Sequence, residues 1–150
     1  MPIANYTTTV PAQNSVNEIQ RLLVAHHAKS VMVDYEGQEP VGLAFLIPTK
    51  NGDEVSFRLP ANIAACQKVL DRQVRTTITR ERAARVGWRI LRDWVRAQMA
   101  ILETEMVTLE EVMLPYMRIG GTGTLYQVLQ ERQFKLLPGE GGTTREGQQP

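Results

Sequence analysis

The chain has 150 residues, enough to bury a sizeable core, and its 43% hydrophobic and 22% charged residues are those of a globular protein, which excludes general disorder. A single cysteine, Cys66, excludes an internal disulfide, and a thiolate-bound metal cluster would need more of them. The opening residues lack a basic start followed by an apolar run, and no stretch approaches the ~18 apolar residues of a membrane helix, so a soluble, cytoplasmic protein without membrane attachment is expected.

Tyr6 to Val10 is aromatic and β-branched, which predicts a first strand. Pro11 to Asn14 breaks it. Ser15 and Glu18 have capping-box spacing, and Val16, Ile19, Leu22, Leu23 and His26 follow at helical intervals, predicting a helix to about Ala28. Val31, Val33 and Tyr35, then Val41, Leu43, Phe45 and Ile47, then Val55, Phe57 and Leu59, read as a three-stranded meander with one face on a core. Asn51-Gly52 is expected to supply the two positive φ angles of a tight hairpin. Pro60 is well placed to open a helix with an apolar face of Ile63, Cys66, Leu70 and Val74.

A long helix follows, with Thr79 as N-cap and Glu81 near the positive end of the dipole, running to about Glu105. Thr108 and Glu111 predict a capping box for a short helix limited by Pro115. Gly120 to Gly123 is a loop, Leu125 to Gln133 a last helix, and Pro138 to Pro150 a polar, disordered tail after a single domain spanning 1–137. The fold class is therefore α+β: a four-stranded, largely antiparallel sheet in the order β-α-β-β-β-α, then a long amphipathic helix and short C-terminal helices. Residues 14–74 follow the α-β-β-β-α order of a double-stranded-RNA-binding domain. They lack that family's lysine cluster, since Asn62 to Lys68 offers only Lys68, and order alone does not carry function.

The net charge of +1 conceals a polarised chain. From Asp71 to Arg96 there are eight arginines against three acids, and Glu103, Glu105, Glu110 and Glu111 come after. On a helical wheel Arg82, Arg85, Arg89, Arg92 and Arg96 fall at spacings of 3, 4, 3 and 4, one stripe about 21 Å long at a rise of ~1.5 Å per residue. Beside it lie two apolar stripes. One is Ala84, Trp88, Leu91, Val95 and Leu102; the other is Ala83, Gly87, Ile90, Trp94 and Ile101.

Three readings of the arginine stripe compete. Guanidiniums pair two oxygens of one phosphate, so the stripe suits DNA or RNA, with Arg75 and Arg80 extending it. The second reading is the ordinary solvated face of an amphipathic helix, although like charges at i,i+4 repel by ~0.2–0.5 kcal/mol per pair and such faces usually mix signs. Thirdly, the acidic segment of a second copy or another protein could meet it. The expected function is a non-enzymatic nucleic-acid-binding protein, or an accessory of a nucleic-acid–protein complex. The alternative is a protein-interaction module or self-associating scaffold.

Other residues point to less chemistry. His26 and His27 are adjacent, so on a helix they point ~100° apart and do not readily chelate one ion. Cys66 falls on an apolar helical face. Asp34, Glu36, Glu39 and Asp53 sit near strand ends and turns, where acids are common. No catalytic, metal or cofactor residue is expected. Ile119-Gly120-Gly121-Thr122-Gly123 resembles the Ile-Gly-x-x-Gly loop with which KH domains clamp a nucleic-acid backbone between two helices, but lacks a basic residue at the variable positions.

Ile3-Ala4-Asn5-Tyr6-Thr7-Thr8-Thr9-Val10, Phe57-Arg58-Leu59-Pro60-Ala61-Asn62 and Ala84-Arg85-Val86-Gly87-Trp88-Arg89-Ile90-Leu91-Arg92-Asp93-Trp94-Val95 resemble a group of small uncharacterised proteins of phages, prophages and other mobile elements. The resemblance covers most of residues 3–117. It implies no activity and no site residues, and shifts expectation toward genome-maintenance accessories and small inhibitors of host defence.

Overall fold

The computed structural model describes residues 2–121 and 123–135. The predicted tail at 138–150 and Thr122 lie outside the described residues. In chain order the elements are α1 (Ala12–Ala25), β1 (Ser30–Glu36), β2 (Glu39–Pro48), β3 (Glu54–Arg58), α2 (Ile63–Gln73), α3 (Arg80–Leu102), α4 (Leu109–Met113), a 3-10 turn (Leu114–Tyr116) and α5 (Leu125–Glu131).

The sheet has three antiparallel strands in the order β1-β2-β3 rather than four. Val31 pairs with Phe45, Val33 with Leu43, Phe45 with Phe57 and Ile47 with Val55, so the alternating apolar residues share one face. Phe45 and Phe57 stack there with ring centroids 5.3 Å apart. The tight hairpin joins β1 to β2 through Gly37, whose φ is +62°. The Asn51-Gly52 connection is a wider loop in which Gly52 alone takes positive φ and the Thr49 amide donates to the Asp53 carbonyl at 2.8 Å.

The expected first strand, Tyr6 to Val10, is a turn-containing segment packed on helices. Asn5 adopts φ +61° and its carbonyl accepts from the Thr8 amide at 2.9 Å, which curls the chain away from any sheet edge. Asn5 Nδ2 donates to Asp93 at 2.8 Å, Arg82 donates to the Tyr6 carbonyl at 3.4 Å, and the Ile3 amide donates to Gln73 at 2.8 Å. These contacts bracket Val86, which is fully buried although it lies far from the main apolar face of α3. Aromatic and β-branched content here serves helix coverage instead of pairing. Propensity for strand measures fit to a half-buried surface, and this segment found another one.

Two helix starts also differ from expectation. α1 begins at Ala12 after Pro11, with no side-chain cap, and Ser15 lies inside the helix, fully buried. α2 begins at Ile63, three residues after Pro60, where Asn62 Oδ1 accepts from the Ala65 amide at 3.0 Å. By contrast Thr79 caps α3 by accepting from the Arg82 amide at 3.1 Å, and Thr108–Glu111 closes a capping box on α4. The long helix ends at Leu102, short of Glu105, which takes φ +61°.

α3 is the axis of the fold. Trp88, Val95 and Met99 are buried, and Trp88 reaches the sheet, where its Nε1 donates to the Pro40 carbonyl of β2 at 2.9 Å. α2 folds back along one flank; a Cβ on Gly87 would stand 3.0 Å from Ile63 Cδ1, so the two helices approach closely there. α1 runs along the other flank in the same direction as α3. Ser15 and Glu18 meet Arg89, and His26 meets Glu103 farther along. The core cluster joins α1, the sheet, α2, α3 and α4 through Ile19, Leu23, Phe45, Leu70, Trp88 and Met113 among others.

Candidate nucleic-acid interface

The arginine stripe faces α1. The apolar face of α3 must turn toward the sheet, and the stripe lies beside it on the wheel, so the flank that carries the guanidiniums is the one α1 occupies. Their stems cover apolar surface between the helices while the heads reach polar groups at its margin.

Four states follow along the stripe. Arg82 is half-buried and donates to the Tyr6 carbonyl. Arg85 pairs with Glu81 at 3.3 Å, one turn back on the same helix. Arg89 and Arg92 are the most enclosed, with side chains 16% and 15% exposed, and both approach Glu18 of α1. Arg89 Nη1 donates to Glu18 Oε2 at 2.9 Å and comes within 3.4 Å of Ser15 Oγ. Arg92 Nε lies 3.4 Å from the same carboxylate oxygen, a charge contact outside hydrogen-bond geometry, and Arg92 Nη2 meets Asp93 at 3.0 Å. Arg96 is exposed and makes no ion pair among the described residues.

A residue not singled out from the sequence completes the picture. Arg21, exposed on α1, lines a shallow groove between α1 and α3 together with Glu18, Leu22, Ala25, Arg92 and Arg96. Arg21 likewise has no ion-pair partner among the described residues. Three arginines and one carboxylate therefore converge on a groove with an apolar floor. Arg21 carried no signal by itself, because only the parallel packing of α1 on α3 brings it beside Arg96.

The remaining two candidates stand apart. Arg75 is exposed in the loop before α3, and Arg80 lies 3.5 Å from Glu39 on the β1–β2 hairpin. Arg80, Arg85 and Glu39 line a cleft of about 650 Å³ with Glu36, Glu81 and Gln13. Its three acids outnumber its two arginines, so it is a poor place for a phosphate.

The other chemical candidates are dispersed. His26 Nδ1 lies 2.8 Å from the Leu22 carbonyl, so this nitrogen is the donor, and Nε2 faces Glu103 at 3.5 Å. His27 is exposed with φ +80°. Asp34 pairs with Arg58 at 3.1 Å, separated from Glu39 and Asp53. Burial pushes the Cys66 thiol up from its ordinary range, which lowers its thiolate population. Among the described residues no group of three or more His, Cys, Asp and Glu is placed to hold a metal ion. No helix among them is long and apolar enough to cross a membrane.

The glycine loop does not sit between two helices. Met117 bridges Phe57 of β3, Arg118 bridges Thr124, and the Ile119 amide donates to the Gly123 carbonyl at 2.8 Å. The chain before the loop is thus extended against the sheet edge, because the 3-10 turn at Pro115 has already ended helical geometry. Gly120 and Gly123, at φ +55° and +115°, serve this turn.

No family model, curated protein or solved structure matches the chain.

Proposed function

We propose that the protein is a non-enzymatic binder of nucleic acid, or of a nucleic-acid–protein complex, and that the α1–α3 groove is its contact surface. The observation that carries this reading is the convergence of Arg21, Arg92 and Arg96 on one groove lined by one carboxylate, Glu18, with neither Arg21 nor Arg96 in an ion pair among the described residues. Planar guanidiniums on two rigid helices give bidentate donors to phosphate oxygens, and Leu22 and Ala25 give the stems an apolar floor. The interface is narrower than the full stripe, since Arg82, Arg85 and Arg89 do not line the groove, and Arg92, which does, is already paired with Glu18 and Asp93. Such a groove recognises backbone charge rather than base sequence. A small accessory of a phage or other mobile element would be a fitting context for it.

A double variant, Arg21→Gln with Arg96→Gln, tests the reading. By fluorescence polarisation with labelled single- and double-stranded oligonucleotides, it should bind more weakly and with a shallower salt dependence than the wild type. Each lost phosphate contact removes about 0.7 (single strand) to 0.9 (duplex) from the log–log salt slope. Unchanged affinity in a folded double variant refutes it.

One observation favours a protein partner as the second reading. Val24 on α1, Ile101 on α3 and Met106 after α3 are exposed, Met106 to 71%. Exposed apolar side chains of this kind suit a protein partner. Sedimentation of a salt-sensitive dimer that ignores oligonucleotides would support that reading over the first.

A further inference from the structure

We infer that Glu18 holds, in the free protein, the place that a ligand phosphate takes on Arg89 and Arg92, and so sets how many phosphates the groove accepts. The inference rests on the nucleic-acid reading above and concerns the regulation of that same surface.

Among the described residues Glu18 is the one acid that lines the groove. One of its oxygens, Oε2, receives Arg89 Nη1 at 2.9 Å and lies 3.4 Å from Arg92 Nε, so a single oxygen bridges two guanidiniums one turn apart on α3. A phosphodiester offers the same formal charge and the same pair of acceptor oxygens. The two partners differ in mobility. Arg89 and Arg92 are 16% and 15% exposed and held by packing, whereas Glu18 is 38% exposed at its own side chain and can rotate toward water. Arg92 is further restrained by Asp93, which Asn5 also holds at 2.8 Å.

An incoming phosphate strand that engages Arg21 and Arg96 therefore meets a carboxylate already seated between the inner arginines. While Glu18 stays, it repels the strand and keeps Arg89 and Arg92 neutralised. When it leaves, the groove gains sites for at least one more phosphate. The carboxylate thus limits affinity for dense polyanions while it stabilises the free fold.

Glu18→Gln tests this, because the amide oxygen still accepts from Arg89 while the charge is gone. Asp53→Asn, exposed in the β2–β3 loop and outside the groove, controls for net charge. Labelled oligothymidine and a labelled duplex are titrated across salt concentrations. Glu18→Gln should bind about five- to eightfold more tightly than wild type near 0.1 M salt, with a slope steeper by about 0.7–0.9, the effect of one added phosphate contact. Asp53→Asn should shift affinity much less. If wild type binds and the Arg21/Arg96 variant does not, yet Glu18→Gln matches Asp53→Asn or binds more weakly than wild type, the role assigned to Glu18 is wrong and the groove reading stands. If neither wild type nor Glu18→Gln binds either probe, both fall. Circular dichroism melting of Glu18→Gln confirms that the comparison is between folded proteins.

Discussion

Arg89 and Arg96 lie seven residues apart on the same face of the same helix, yet they live in different environments. The first is enclosed between α1 and α3 and donates to Glu18; the second stands in water beside Arg21 with no ion-pair partner among the described residues. An arginine paired with a carboxylate of the neighbouring helix contributes to holding the two helices together. An arginine without one is available to a ligand. Regular spacing along a stripe therefore does not imply a uniform role, because the neighbouring helix covers some positions and leaves others open.

The largest expected effect removes the support that both environments share. Trp88→Ala should lower stability by about 3–5 kcal/mol, the usual range for deleting a buried aromatic, and it also leaves the Pro40 carbonyl without its donor. Chemical denaturation would show it as a large fall in midpoint. If the loss were below about 1 kcal/mol, α3 would not be anchored on the sheet as described.

Removing the inner arginine should cost less. Arg89→Ala is expected to lose about 1–2 kcal/mol, between an exposed pair and a fully buried one, since Glu18 is still partly solvated. A double-mutant cycle with Glu18→Ala sharpens the point: positive coupling marks a structural pair, and strict additivity denies it.

Loosening the helix start should be smaller again. Thr79→Ala removes the cap on α3 for about 1 kcal/mol and should leave oligonucleotide affinity unchanged, because Arg21, Arg92 and Arg96 lie turns away. The smallest stability change belongs to the outer pair. Arg21→Gln with Arg96→Gln should stay within about 0.5 kcal/mol of wild type in the same denaturation assay while carrying the largest change in binding. A variant that unfolds would place these two side chains in the structural class after all.

The elements most legible in the residues were those with local causes. Thr79 was readable as a cap because its hydroxyl satisfies an amide within one turn, and Thr108–Glu111 because a hydroxyl and a carboxylate three residues apart do so reciprocally. The meander was readable because alternation marks one face of a sheet, and Val33, Leu43, Phe45 and Phe57 do share it. Tyr6 to Val10 had the composition of a strand but no information about its partner, and Asn5 turned it onto α3. Ser15 and Glu18 had the spacing of a cap, yet both are spent on Arg89, since α1 had already begun three residues earlier at Ala12.

By itself the sequence determined an α+β chain, its meander, a capped long helix and a regular row of arginines along it. These follow from periodicity and hydrogen bonds within a few residues. Only the tertiary structure decided that α1 lies parallel to α3, that Glu18 takes the inner arginines, and that Arg21 joins Arg96. Those outcomes depend on which surfaces the apolar faces bury together, and burial is a property of contacts between segments distant in the chain.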